Sequence, residues 1–197
     1  MSILNAAYWE GRYQDGRTGW DIHGVSPAFL AWAQTIQDRQ ASILLPGCGH
    51  AHEARYLLEQ GFQHVHVLDF APLPLQRLRQ SFPHEIKEQR LTLHELDFFR
   101  LTGQFDWIFE QTFFCALPIS LRSEYARHMH SLLSPTGYLV GLLFNRSFPG
   151  PEPPFGGSID EYRSLFEPYF HLHHLAPTPL SIPPRRGSEV WIQFSKK

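Results

Sequence analysis

At 197 residues, 43% of them hydrophobic, the chain is long enough to bury one sizeable core and short for two. Lys and Arg number 17 against 19 Asp and Glu, so no basic surface forecasts a grip on nucleic acid, and no apolar run nears the roughly 20 residues that cross a bilayer. Two cysteines are too few for a disulfide framework, and the start Met1-Ser2-Ile3-Leu4-Asn5 lacks the basic and apolar regions of a secretion signal, so a cytoplasmic, reducing setting is expected.

In chain order, the first 40 residues read as an aromatic, turn-punctuated cap. Tyr8, Trp9 and Tyr13 come first, then Gly16, Gly19 and Trp20, then a helix from Pro27 to about Gln37. From Ile43 the text alternates: strand 43–46, helix about 51–60, strand 64–68, helix about 72–82, strands about 91–95 and 106–111, helix about 120–133 and strand about 137–144. Short apolar runs alternating with helical segments predict a mainly parallel sheet covered on both faces. The loop at 145–158 follows, with four prolines and three glycines between Asn145 and Gly157, and is expected to act as a lid. A helix about 158–168, a strand about 170–176, a Pro-rich turn and a closing strand from Glu189 to Phe194 complete the chain. The expected fold is therefore α/β, a Rossmann-like, mostly parallel seven-stranded sheet ending in an antiparallel hairpin, as one domain over 1–197.

The chemistry concentrates at the ends of the strands. Ser42-Ile43-Leu44-Leu45-Pro46 halts at Gly47-Cys48-Gly49, a turn that lets backbone approach a ligand where side chains would collide. Asp69 ends the next run, 22 residues past Gly47, a spacing that suits a carboxylate gripping ribose hydroxyls. Asp97 follows the third run and can accept from an adenine amino group while the Phe98 N–H donates to the ring; Glu110 and Gln111 end the fourth. Either aspartate can instead cap a helix or turn. A pyrophosphate would need a third glycine and a helix amino end, and Pro46 with His50-Ala51-His52-Glu53 supplies no such glycine, so an adenosine without phosphates, that of S-adenosylmethionine, is indicated. His50-x-His52, His64-x-His66 and His171-x-His173-His174 lack the partner spacing of a zinc motif, and no metal is expected.

The strings Leu45-Pro46-Gly47-Cys48-Gly49, Asp97-Phe98-Phe99 and Glu110-Gln111-Thr112-Phe113-Phe114-Cys115-Ala116-Leu117, with Arg122 and Tyr125 after them, resemble the thiopurine methyltransferase superfamily. The likeness is greatest to its thiol and halide (thiocyanate-type) branch. It extends to the stretch from Trp9 to Trp20, the Leu132-Leu133-Ser134-Pro135-x-Gly137 turn and the loop from Gly150 to Phe155. The resemblance implies that Trp9 and Trp20 close over the cofactor, that Gly47 meets its methionine portion, that Asp69 holds the ribose, that Asp97 and Phe98 hold the adenine, and that Gln111 lies beside the sulfonium. This chain departs from it in having Tyr13 for a usual tryptophan, His50-Ala51-His52-Glu53 for Gly-Gly-His-Asp, and Gln111 where the branch often has tyrosine.

The expected reaction is methyl transfer to a small soft nucleophile: a thiol, thiocyanate, hydrosulfide or halide. Such an acceptor needs no proton removed, so a dry aromatic pocket suffices and no catalytic residue is assigned. Tyr13 joins Trp9 and Trp20 as cover for the donor, and Phe114, Arg146 and Phe155 are expected to face the acceptor. Methylation of oxygen or nitrogen would need a base, for which His50 or His52 is available. A non-catalytic S-adenosylmethionine-binding protein is the other alternative. The expected partners are a small-molecule acceptor, with neither nucleic acid nor membrane, and the expected state is a monomer.

Overall fold

The computed structural model describes residues 4–197, so the first three residues of the cap and of the stretch read for a secretion signal lie outside the described residues. The seven strands follow the order β3-β2-β1-β4-β5-β7-β6, and the chain divides into two compact units. One unit comprises Phe29–Leu101 with the described residues up to Val25; the other comprises Thr102–Lys197 with Ser26–Ala28.

The first unit holds three parallel strands, β1 (Ser42–Pro46), β2 (His64–Asp69) and β3 (Leu91–Glu95), with β2 paired to both others. Ile43, Leu44, Val65 and Val67 are buried, as strands covered on both faces require. Helix α3 (His52–Glu59) turns Ala54, Leu57 and Leu58 inward at helical spacing. Helix α4 (Pro72–Ser81) starts on a proline, which fits a first turn whose N–H groups are unpaired anyway, and it stops before Pro83 opens the short α5 (Pro83–Lys87). Two helices go beyond the sequence reading. These are α5 and the cap helix α1 (Ala6–Gln14), whose weakly amphipathic AAYWEGRYQ segment hid behind its aromatics although Asn5 caps it through Tyr8 N at 3.0 Å. Helix α2 (Pro27–Ala33) ends sooner than Gln37, where the Thr35 hydroxyl turns back onto the Trp32 carbonyl at 2.7 Å.

In the second unit β4 (Phe105–Gln111) runs parallel to β5 (Leu133–Phe144). Strand β7 (Glu189–Lys196) lies antiparallel between β5 and β6 (Phe170–Pro177), which gives the expected hairpin. Helix α6 (Arg122–Leu132) buries Tyr125, Ala126, Met129 and Leu132, and α7 (Ile159–Phe166) buries Tyr162 and Phe166 behind a Ser158 cap. The expected turn at 132–137 is the irregular start of β5: Phe105 pairs with Leu133 but Trp107 with Tyr138. Gly137 is required there, since a Cβ would lie 2.8 Å from the Phe105 carbonyl oxygen.

The end of β4 is built around one buried carboxylate. Glu110 is fully buried, and its Oε1 accepts from the amides of Phe113 at 2.9 Å and Phe114 at 2.8 Å, while Oε2 accepts from the Tyr125 hydroxyl at 2.5 Å. These bonds fix the turn in which Thr112 takes a positive φ. Gly141, opposite on β5, has φ +146°, and a Cβ on it would sit 2.0 Å from the Glu110 carbonyl oxygen. Gly141→Ala therefore forces the two strands apart and should cost about 3 kcal/mol or more in urea denaturation.

Burial pushes the Glu110 carboxyl up to about 7, against the pull of the tyrosine hydroxyl and the two amides. Between its ordinary 4.5 and about 7 the folded chain holds a proton that the unfolded chain has released. Stability should then fall by up to about 3 kcal/mol as pH rises through that window. Glu110→Gln, which keeps an acceptor for both amides, should flatten the decline when unfolding is followed below, within and above it; an unchanged slope would refute this account of Glu110.

Candidate functional site

In the first unit, Gly47, Asp69 and Asp97 stand at or just past the carboxyl ends of three adjacent parallel strands, where open α/β sheets bind ligands. Gly47 and Gly49 have φ of 61° and 51°, and Ala51 takes 52° just before α3. A glycine third in that turn is thus replaced by an alanine in the same left-handed region, at the strain cost of its Cβ.

Asp69 is 5% exposed and well supplied with donors. Its Oδ1 accepts from Ala71 N at 3.0 Å; Oδ2 accepts from Gly49 N and from the Tyr13 hydroxyl, both at 3.3 Å. Burial raises its pKa, and these hydrogen bonds oppose the rise. The same burial, with the Asp69 charge beside it, pushes the Tyr13 hydroxyl up, so it stays a donor.

The cap reaches this carboxylate through aromatic contacts. Trp20 meets Trp9 edge-on at 5.4 Å and Tyr13 at 5.5 Å, and a Cβ at Gly49 would lie 3.4 Å from Tyr13 Oη and 3.7 Å from Trp20 Nε1. Helix α1 is anchored as well, since Glu10 accepts from Leu73 N at 3.0 Å in the first turn of α4. The structure thus brings Trp9, Tyr13, Trp20, the glycine turn and Asp69 together. Asp97 is exposed and its Oδ1 caps the turn Phe98–Arg100 through Phe99 N at 2.9 Å, so one of its oxygens is committed locally; Phe98 itself is buried.

One cluster here escaped the sequence reading. Asp21, whose side chain is 7% exposed, has His52 Nε2 3.0 Å from Oδ1, and His50 Nδ1 and His23 Nδ1 each 3.1 Å from Oδ2. Hydrogen bonds to the carboxylate and the nearby imidazoles hold Asp21 low despite burial, and burial lowers His50. The signal lay in the His50-x-His52 spacing, but the partner is about 30 residues away along the chain, where no local pattern reveals it.

In the second unit Gln111 is half-buried, and its Oε1 accepts from the Ser26 hydroxyl at 2.6 Å. Phe114, expected at the acceptor, is 1% exposed and packs among Tyr125, Tyr162 and Phe166 beneath the Arg122 guanidinium, so its ring is spent on the core. Arg146 is exposed and stacks on Phe148, and its backbone bridges to Gly157. Phe155 is half-buried and donates its amide to the Cys115 carbonyl at 2.7 Å, and Arg122 binds the Gly156 carbonyl at 2.6 Å. The carboxyl arm of the 145–158 loop is therefore tied down. Cys115 is buried with its thiol pushed up, largely by burial, and it donates to the Thr112 carbonyl at 3.4 Å.

A second group that sequence reasoning passed over is Arg185. Its side chain is 13% exposed, it lies 3.5 Å from the buried Glu189 carboxylate and 5.5 Å over the Phe144 ring, and it is close enough to Cys115 to pull that thiol down against burial. In sequence it is one of two arginines in a Pro-rich turn, with nothing to mark it as turned inward.

Comparison with known proteins follows this geometry. The thiopurine S-methyltransferase family model matches residues 4–190. A probable thiol methyltransferase 2 of Arabidopsis thaliana is 29% identical across the whole chain and 88% of its own length, and thiocyanate methyltransferase 1 of Brassica oleracea is 28% identical over 95% of this chain and 84% of its own. Among solved structures, the 1,6-didemethyltoxoflavin-N1-methyltransferase of Burkholderia thailandensis, with S-adenosylhomocysteine bound, superposes with a TM-score of 0.76 at 20% identity, over 98% of this chain and 88% of that one. The chain belongs to the thiopurine S-methyltransferase family and has the fold of S-adenosylmethionine-dependent methyltransferases.

Proposed function

We propose that this chain methylates a small, soft, anionic acceptor, a thiolate, hydrosulfide, thiocyanate or halide, acting as a cytoplasmic monomer. S-adenosylmethionine supplies the electrophilic methyl group when bound. The first unit fits that donor: Asp69 Oδ2 has two long contacts of 3.3 Å, which ribose hydroxyls can replace, and Gly49 leaves room beneath Tyr13 and Trp20 where a side chain would intrude. Asp97 and the Phe98 amide hold the adenine edge, and Gly47 borders the methionine portion. The faces of Trp9, Tyr13 and Trp20 favour a sulfonium by roughly 0.5–2 kcal/mol and keep water from it.

The observation that carries the anionic acceptor is Arg185, a nearly buried guanidinium over the Phe144 ring. It gives a soft anion a fixed positive charge beside that ring, shared with the Glu189 carboxylate 3.5 Å away. Proton removal is poorly served, which also favours an acceptor that is already an anion. Glu110 is consumed by Phe113, Phe114 and Tyr125, and Cys115 is held as a thiol. Catalysis then rests on alignment, worth up to roughly 7–11 kcal/mol in well-oriented cases.

Calorimetry with S-adenosylmethionine should give binding that Asp69→Ala weakens by about 1–3 kcal/mol, the scale of a buried hydrogen bond left unmade. Unchanged affinity would remove Asp69 as the ribose ligand. With thiocyanate, hydrosulfide, iodide and a thiol panel scored for methylated product, Arg185→Met should raise KM for the anions about tenfold or more, with donor affinity intact. Turnover of neutral amines or alcohols but of none of the anions would overturn the proposal.

A further inference from the structure

We propose that Asp21, His50 and His52 form a binding site for a divalent transition metal of the zinc class, with His23 at its rim. Two imidazole nitrogens and a carboxylate oxygen, with water completing a tetrahedron, are a donor set that zinc and cobalt accept. The three ligand atoms already lie within 4.8 Å of one another. Ligands about 2.0–2.2 Å from a shared ion stand some 3.3–3.5 Å apart, so small rotations of the rings suffice.

A second observation separates this cluster from an ordinary hydrogen-bonded one. His50 Nδ1 is buried and lies 3.1 Å from Asp21 Oδ2, yet it makes no hydrogen bond, because the alignment is wrong for a shared proton. Two groups placed side by side without a proton on the line between them are disposed to share a cation. The frame is also well defined. His50 belongs to the glycine turn, His52 opens α3, and Ala51 between them is held in the left-handed region that points both rings toward Asp21. His23, 86% exposed and also in a left-handed conformation, offers a further nitrogen from the solvent side.

Arg77 opposes the metal. Its guanidinium lies 3.0 Å from His50 Nε2 and can only donate, so the neutral ring carries its proton on Nδ1, the atom that would have to bind the metal. Loading therefore requires the exposed Arg77 to swing away, the ring proton to pass to Nε2, and Nδ1 to turn its lone pair inward. A bound ion would fasten the loop that carries Trp20 to the turn that carries Gly49, and so brace the cap.

The test uses the full chain without a histidine tag, stripped by chelator and titrated with cobalt(II), with zinc(II) as competitor. The expected result is one equivalent bound at micromolar concentration with the visible absorption of a tetrahedral site, zinc displacing it, and a thermal midpoint that rises with metal. His50→Gln and His52→Gln should each weaken binding by at least about tenfold, and Arg77→Gln should tighten it. If His52→Gln fails to fold, His50→Gln decides alone. Absence of saturable binding would overturn the proposal, and so would affinity unchanged in the folded variants, which would put the ion on another histidine group such as His66 and His94.

Discussion

A carboxylate taken out of water must be given donors, and the first unit is organised by how Asp69 receives them. One comes from the residue two positions on, one from the glycine turn of the neighbouring strand, and one from a tyrosine 56 residues earlier in the chain. The first bond shapes the turn after β2, and the second ties the end of β2 to the turn that follows β1. The third recruits the cap. Because an unsatisfied buried carboxylate costs several kcal/mol, the cap helix, the glycine turn and the strand end are linked through a single side chain. Any ligand that takes over the tyrosine bond inherits this arrangement.

Glu110 plays the corresponding part in the second unit with a different outcome. Its oxygens accept short bonds within its own turn and from α6, and these bonds fix the end of β4. The contrast is instructive. Two buried acids, each at the end of a parallel strand, differ in the length of their hydrogen bonds, long at Asp69 Oδ2 and short at Glu110.

Strong local patterns made much of this visible in the text of the chain. Buried runs ending in Gly-x-Gly or Asp announced β1 and β2, alternation announced the parallel sheet, and the closing hairpin followed from two strands about a Pro-rich turn. Where local text was ambiguous, tertiary packing decided. Phe114 and Phe155 look alike in sequence, but Phe114 packs on Tyr125 of α6 and is buried while Phe155 stays half-buried. Asp97 caps its own turn with one oxygen, in the way open to any aspartate before a short turn, and leaves the other exposed. Arg185 and the Asp21 cluster were illegible for another reason: their meaning lies wholly in partners distant along the chain, Phe144 for the one and His50 and His52 for the other.

The position of β7 bears on how the protein is made. It lies between β5 and β6 yet follows both in sequence, with 44 residues separating the end of β5 from its start. On the ribosome, the edge strand β6 emerges before β7, the strand it pairs with, and the open side of β5 stays unpaired until β7 arrives. Nascent chains therefore pass through a stage in which one side of the apolar strand β5 is bare, the strand that carries Leu139, Val140, Leu142 and Leu143. Synthesis, more than the finished fold, is where this half of the protein is open to pairing with another chain.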